Sequence, residues 1–85
     1  MCKVIFAEKA WEDYIYWQEI DKRILKRINI LLRDIARNGN NGIGKPEPLK
    51  YREGWSRRID EDHRLVYQLK DNSIEVLQCK GHYDD

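Results

Sequence analysis

The sequence predicts an α+β domain: a helical hairpin packed on one face of a small antiparallel sheet, in the order β-α-α-β-β-β. Three observations carry this reading. A stretch from Ile24 to Ile35 places an apolar residue at every third or fourth position. The second half breaks into short strand-like runs joined by a few polar residues. A single stretch rich in Gly, Asn and Pro, "NGNNGIGKPEP", separates the two halves. Eighty-five residues suffice for one modest core, so residues 1–85 form one domain. A hydrophobic share of 41% with three tryptophans favours a folded globule over a disordered chain.

In chain order, "CKVIF" reads as a short first strand with β-branched character. From Glu8 the pattern turns helical, with Ala7, Ala10, Trp11, Tyr14 and Ile15 at helical spacing and Trp17 extending the face. Asp21 is the expected N-cap of a second helix, whose stripe is Ile24, Leu25, Ile28, Leu31, Leu32 and Ile35. Asn38-Gly39 stops it. The link between the helices is so short that they must run antiparallel. After the loop, "WSRRID", "HRLVYQL" and "SIEVLQCK" read as strands, and their short turns imply antiparallel pairing. So small a sheet leaves its second face uncovered and open to function.

Composition excludes several classes. No apolar run approaches a membrane span, and "MCKVIFA" lacks a signal-peptide pattern, so the expected location is cytoplasmic. Cys2 and Cys79 are too few for a disulfide scaffold, and Cys79-x-x-His82 has no second pair to complete a metal site. No cofactor or metal is expected. The net charge of +1 conceals an asymmetry: from Lys22 to Arg58, Lys and Arg outnumber acids eleven to three. Such a segment is a candidate footprint for a polyanion, although charge runs are more often solvated helix faces.

The second half offers a carboxylate (Glu47, between Pro46 and Pro48), guanidiniums (Arg57, Arg58, Arg64), an imidazole (His82) and a phenol (Tyr83). Phosphodiester cleavage without a metal needs a base, an acid and fixed positive charge, and RNA brings its own nucleophile in the 2′-hydroxyl. Each residue also has an ordinary reading. Glu47 can be a turn residue, Arg64 can pair with Asp60 or Glu75, His63 marks a turn, and His82 is near a terminus. The residues alone therefore reach an RNA-binding or RNA-cleaving domain and no further.

The segments "WEDYIYWQEIDKRILKRIN", "GKPEPLK", "WSRRIDEDHRLVY" and the late "HY" resemble the YoeB-type members of the RelE toxin superfamily, in collinear order from about Val4 to Tyr83. The resemblance implies a bacterial type II toxin that cleaves mRNA in the ribosomal A site. It implies a YefM-like antitoxin as partner, together with the ribosome, its rRNA and the mRNA, and a homodimer. It makes Glu47 the general base, Arg64 the transition-state stabiliser and His82 the general acid. Lys50, Arg58 and Tyr83 become substrate contacts. The face carrying Arg23, Lys26, Arg27, Arg33 and Arg37 is then expected to dock on rRNA. Two departures stand out: Asp84-Asp85 add acids beside the expected acid, and the loop "YREG" looks short. The alternative is a catalytically inactive module of the same fold that binds an antitoxin and takes part in operator DNA binding.

Overall fold

β1 (Lys3–Phe6) leads into α1 (Glu8–Ile20) and α2 (Lys22–Asn38), followed by β2 (Glu47–Pro48), β3 (Trp55–Arg58), β4 (Arg64–Lys70) and β5 (Ser73–Gln78), in a computed structural model that describes residues 2–82. Asp21 alone joins the helices. Its backbone N–H donates to Trp17 O at 3.0 Å and closes α1. Its carboxylate accepts from the N–H groups of Arg23 and Ile24 at 3.0 and 3.4 Å and opens α2. A cap of this kind contributes about 1 kcal/mol. Gly39, with φ +63°, ends α2 by donating to Ile35 O at 2.8 Å.

The helices cover one sheet face. Ala10 and Trp17 of α1, with Ile28, Leu31, Leu32 and Ile35 of α2, bury against Leu65, Tyr67, Ile74, Val76 and Cys79. The expected α2 stripe is thus the core, with Ile24 and Leu25 at its margin. Trp11 differs from expectation: it is half exposed, edge-on to Phe6 and stacked on Tyr14 at the margin of the core. The inward position on α1 goes to Asp13, because its carboxylate has partners there. It accepts from Cys79 N–H at 3.0 Å and from Lys9 Nζ at 2.6 Å.

The strand order is β1-β5-β4-β3-β2. β3, β4 and β5 pair antiparallel, as expected, and β2 pairs antiparallel with β3, while β1 adds in parallel beside β5, with Lys3 opposite Ser73 and Phe6 opposite Val76, so the sheet is mixed rather than wholly antiparallel. Parallel neighbours need a long crossover, and here the helical hairpin and three strands lie between them. The sheet also gains a strand where a loop was expected. Glu47 and Pro48 pair with Ser56 and Trp55 at the sheet edge, the position that tolerates proline.

A bulge in β5 shifts its phase. Tyr67 lies opposite Val76, but its neighbour Val66 lies opposite Gln78, so β5 spends two residues where β4 spends one. Ile74 and Val76 face the helices, and beyond the bulge Gln78 turns to the open face while Cys79 returns to the core.

Burial, reinforced by the Asp13 carboxylate, pushes the Cys79 thiol up to about 12. A thiol-directed alkylating agent at pH 8 is therefore expected to spare Cys79 in the native protein and to label it once denaturant is added. Peptide mass spectrometry reads this directly, and rapid native labelling of Cys79 would contradict its placement. Among the described residues no helix is long and apolar enough to cross a membrane.

Candidate active site on the open sheet face

The segment "WSRRI" alternates across the sheet. Trp55 and Arg57 lie opposite Tyr67 and Leu65 on the helix side, whereas Ser56 and Arg58 lie opposite Val66 and Arg64 on the open side. The two consecutive arginines therefore part company. Arg57 is fully buried and leaves the set of substrate cations that the sequence suggested. Its guanidinium pairs with Asp34 of α2 and donates to Gly39 O at 2.7 Å and Ile43 O at 3.0 Å. Its Nε donates to Tyr67 Oη at 3.3 Å. Arg57 thus gathers the 39–44 loop around itself, and the tightness of this wrapping explains Gly42 and Gly44. A Cβ on Gly42, whose φ is +147°, would meet Asp34 Oδ2 at 1.9 Å. The hydrogen bond from Arg57 holds the Asp34 carboxyl below its ordinary range, with Ile43 N–H and Asn38 adding to the effect against the opposing pull of burial.

This loop delivers Glu47. Gly44 O accepts from Arg58 N–H at 2.7 Å, which seats the loop on β3 immediately before Lys45-Pro46-Glu47. Lys45 takes a left-handed φ of +51°, a conformation that directs the chain sharply into Pro46. Directly paired residues of neighbouring strands point to one side, so Glu47, Ser56, Val66 and Gln78 form a row across the open face. Arg58 and Arg64 form the adjacent row on the same side. Ser56 and Val66 are buried and make the floor beneath the longer side chains.

His82 arrives from the opposite direction. Beyond β5, Gln78 Nε2 donates to the carbonyls of Lys80 and His82 at 3.1 Å each. Arg64 N–H donates to Gly81 O at 3.0 Å. The exposed His82 is thus tethered beside Gln78 and Arg64, on the far side of the arginines from Glu47. Strands lie about 4.8 Å apart, so the backbones of Glu47 and Gln78 stand roughly 14 Å apart across the two arginine-bearing strands. Among the described residues, Glu47, Arg58, Arg64 and His82 have no ion-pair partner. The ordinary pairing of Arg64 with Asp60 or Glu75 is not formed there; Asp60 Oδ1 instead accepts from the N–H groups of Asp62 and His63.

Lys50 lies two residues beyond β2 and is exposed. Tyr83 and Asp84-Asp85 lie outside the described residues. Cys79-x-x-His82 cannot act as a metal half-site in this arrangement, since the thiol faces Ala10 O in the core and His82 faces outward. Among the described residues no group of three potential metal-ligating side chains converges.

The basic stripe of α2 occupies another surface. Arg23, Lys26, Arg33 and Arg37 are exposed and Arg27 is half-buried. Shallow grooves flank the stripe, one shared with Ile59 and Asp60 just after β3 and another with Ile43 of the loop. It therefore borders the side of the molecule on which β3 and the Glu47 loop lie. Asp34, the acid within this stretch, is committed to Arg57.

The sequence reading missed Gln78 and misread Arg57. Strand alternation signals the arginine, because Arg57 shares the phase of Trp55 and Ile59. No local signal marks Gln78, whose direction depends on the bulge.

Comparison with known proteins agrees with this fold. Residues 6–83 match the family model described as a YoeB-like toxin of bacterial type II toxin–antitoxin systems. The chain is 53% identical over 83 residues to Toxin YoeB of Escherichia coli (strain K12), covering 95% of this chain and 99% of that one. A YoeB dimer structure from Staphylococcus aureus superposes with a TM-score of 0.92 at 49% identity, covering 96% and 98% of the two chains. The heterotetrameric YoeB–YefM toxin–antitoxin complex from the same organism contains a chain with a TM-score of 0.91 at 49% identity, covering 98% and 99%.

Proposed function

The chain belongs to the YoeB-like toxins of bacterial type II toxin–antitoxin systems, and on that premise we propose that it is an endoribonuclease that cleaves mRNA in the ribosomal A site and halts translation. One observation carries the reading. Crossing the open face from β2 to the end of β5, the chain presents a carboxylate, two arginines and an imidazole in that spatial order. In-line attack on phosphorus places the entering and departing oxygens on opposite sides, so the base and the acid must approach from opposite sides of the phosphate.

Glu47 takes the proton of the 2′-hydroxyl, and the 2′-oxygen forms a bond to phosphorus. Arg58 and Arg64 hold the phosphate oxygens as charge accumulates on them, and Lys50, by family resemblance, contacts the phosphate. The bond from phosphorus to the 5′-oxygen breaks, and His82 donates a proton to that oxygen. The products are a 2′,3′-cyclic phosphate and a 5′-hydroxyl. Tyr83, by family resemblance, contacts the substrate next to His82. The test is to map 5′ ends of mRNA on ribosomes with a defined A-site codon, using the wild-type protein and His82→Gln. New 5′-hydroxyl ends within that codon are expected from the wild type and far fewer from the variant. Intact mRNA with the wild type would sink the proposal.

The same family places a YefM-like antitoxin and a second copy of the chain among its partners, supported by the similar dimer and heterotetramer. The ribosome itself is engaged by the α2 stripe, whose exposed cations face rRNA phosphates. Changing Lys26, Arg33 and Arg37 to Gln is expected to weaken ribosome binding and to reduce the slope of log affinity against log salt by about 2, at roughly 0.7–0.9 per lost phosphate contact. Sedimentation binding at several salt concentrations measures this. An unchanged slope would make the stripe a solvated surface.

A further inference from the structure

The segment that carries His82 lies outside the strand ladder, which ends at Gln78. Side chains from other elements hold it instead. At its root, Asp13 accepts from Cys79 N–H at 3.0 Å and Trp17 Nε1–H donates to Cys79 O at 2.9 Å. Next, the Lys80 ammonium lies 4.0 Å from the centre of the Tyr16 ring. At Gly81 the chain turns with φ +84°, a left-handed conformation that directs it toward His82. There the captor is His63, whose Nδ1 accepts from Gly81 N–H at 2.8 Å.

His63 is itself held from several sides. Its N–H donates to Asp60 Oδ1 at 2.8 Å, and its carbonyl accepts from the N–H groups of Ile59 and Asp60 at 3.0 and 3.3 Å. Its ring packs edge-on against Trp17 at 4.8 Å between centroids. An imidazole whose Nδ1 accepts a hydrogen bond is neutral and carries its proton on Nε2. The imidazole therefore reaches across from the β3–β4 turn to fasten the last turn before His82, while the next residue, Arg64, grips Gly81 O with its own N–H.

We propose that His63 is a positioning residue for RNA cleavage: by accepting from Gly81 N–H it fixes the turn that aims the His82 imidazole at the phosphate between the arginines. The inference rests on the reading of His82 as the general acid. His63 touches neither substrate nor reacting atoms; it acts through the backbone it holds. Misplacing a reacting group by about 1 Å costs on the order of 10²-fold in rate, which sets the size of effect expected.

The experiment compares four variants in single-turnover cleavage on programmed ribosomes: His63→Leu, His63→Asn, His82→Gln, and His63→Leu combined with His82→Gln. Leucine keeps apolar bulk against Trp17 but offers no acceptor. Asparagine places Oδ1 near the position of Nδ1 and restores one. His63→Leu is expected to lower the saturating rate by about 10²-fold with little change in the half-saturating concentration. His63→Asn is expected to recover most of that loss. The double variant is expected to cleave no more slowly than His82→Gln, because an effect exerted through His82 has nothing left to act on.

A wild-type rate in His63→Leu, with His82→Gln slow, overturns the positioning role and leaves the cleavage mechanism standing. A wild-type rate in His82→Gln overturns the acid assignment and the inference with it. Multiplying losses in the double variant overturn action through His82. If His63→Leu does not fold, nitrogen NMR of the wild-type imidazole decides: an Nε2–H form coupled to Gly81 N–H supports the proposal, and an Nδ1–H form overturns it.

Discussion

Replacing Glu47 with Gln is expected to slow single-turnover cleavage on programmed ribosomes by about 10² to 10⁴-fold, the usual contribution of a positioned general base. The substitution is informative because it disturbs so little else. Glu47 is exposed on a two-residue edge strand, and Gln retains its length and shape. Stability should stay within about 0.5 kcal/mol, as for surface substitutions in general. The backbone that aims the side chain stays in place: Pro46 and Pro48 restrict it on both sides, and pairing with Ser56 fixes which face it takes. Ribosome binding, assigned to a different surface, should not change. A cleavage rate within a few-fold of wild type would remove Glu47 from the chemistry, however well it is placed.

The largest effect on stability is expected at Arg57. Arg57→Leu removes the guanidinium but leaves the Asp34 carboxylate and the carbonyls of Gly39 and Ile43 facing an apolar side chain. Arg57 is fully buried but Asp34 keeps part of its carboxylate in solvent, so the cost falls at the lower end of the roughly 3–5 kcal/mol for removing one partner of a buried pair. For a domain of this size even 3 kcal/mol corresponds to a fall in Tm of roughly 12–24 °C, which calorimetry would resolve. A fall of only a few degrees would show that the loop closes without this arginine. The pair also gives stability a pH dependence of known sign. Arg57 first of all, through its hydrogen bond, lowers the folded pKa of Asp34 below its ordinary 3.8. The contribution is therefore complete above the unfolded value and is lost as pH falls through the lower folded value. Asp34→Asn should flatten that acid limb in chemical denaturation between about pH 2 and 5.

Much of this molecule can be read along the chain because its signals are periodic. The α2 stripe, the Asp21 cap and the Gly39 stop are local patterns, and each forms where expected. The expected site residues Glu47, Arg58, Arg64 and His82 come to one face or its margin, although resemblance was needed to select them from other exposed polar groups. What stayed illegible has physical causes. Two residues cannot display alternation, so β2 looked like loop. Parallel pairing of β1 leaves no hairpin turn to announce it. The bulge reverses the side on which Gln78 emerges, and a rule of alternation cannot foresee an inserted residue. His63 looked like an ordinary turn histidine because its partner, Gly81, lies eighteen positions away.

The pairing of β1 with β5 has a consequence for how the protein comes into being. Of the five strands, synthesis delivers β1 before the others, yet its neighbour in the sheet, β5, is made after the other four. The helical hairpin needs only local contacts, whereas β1 must wait for Ser73 to Gln78, and long-range pairing of this kind is slow to form. His82 follows later still. A nascent chain interrupted before β5 can hold the base loop and both arginines, but it has neither the strand that closes the sheet nor the imidazole that completes the face. Assembly of the proposed nuclease is therefore deferred until β5 and the segment bearing His82 have both been made, however early β1 and the helical hairpin emerge.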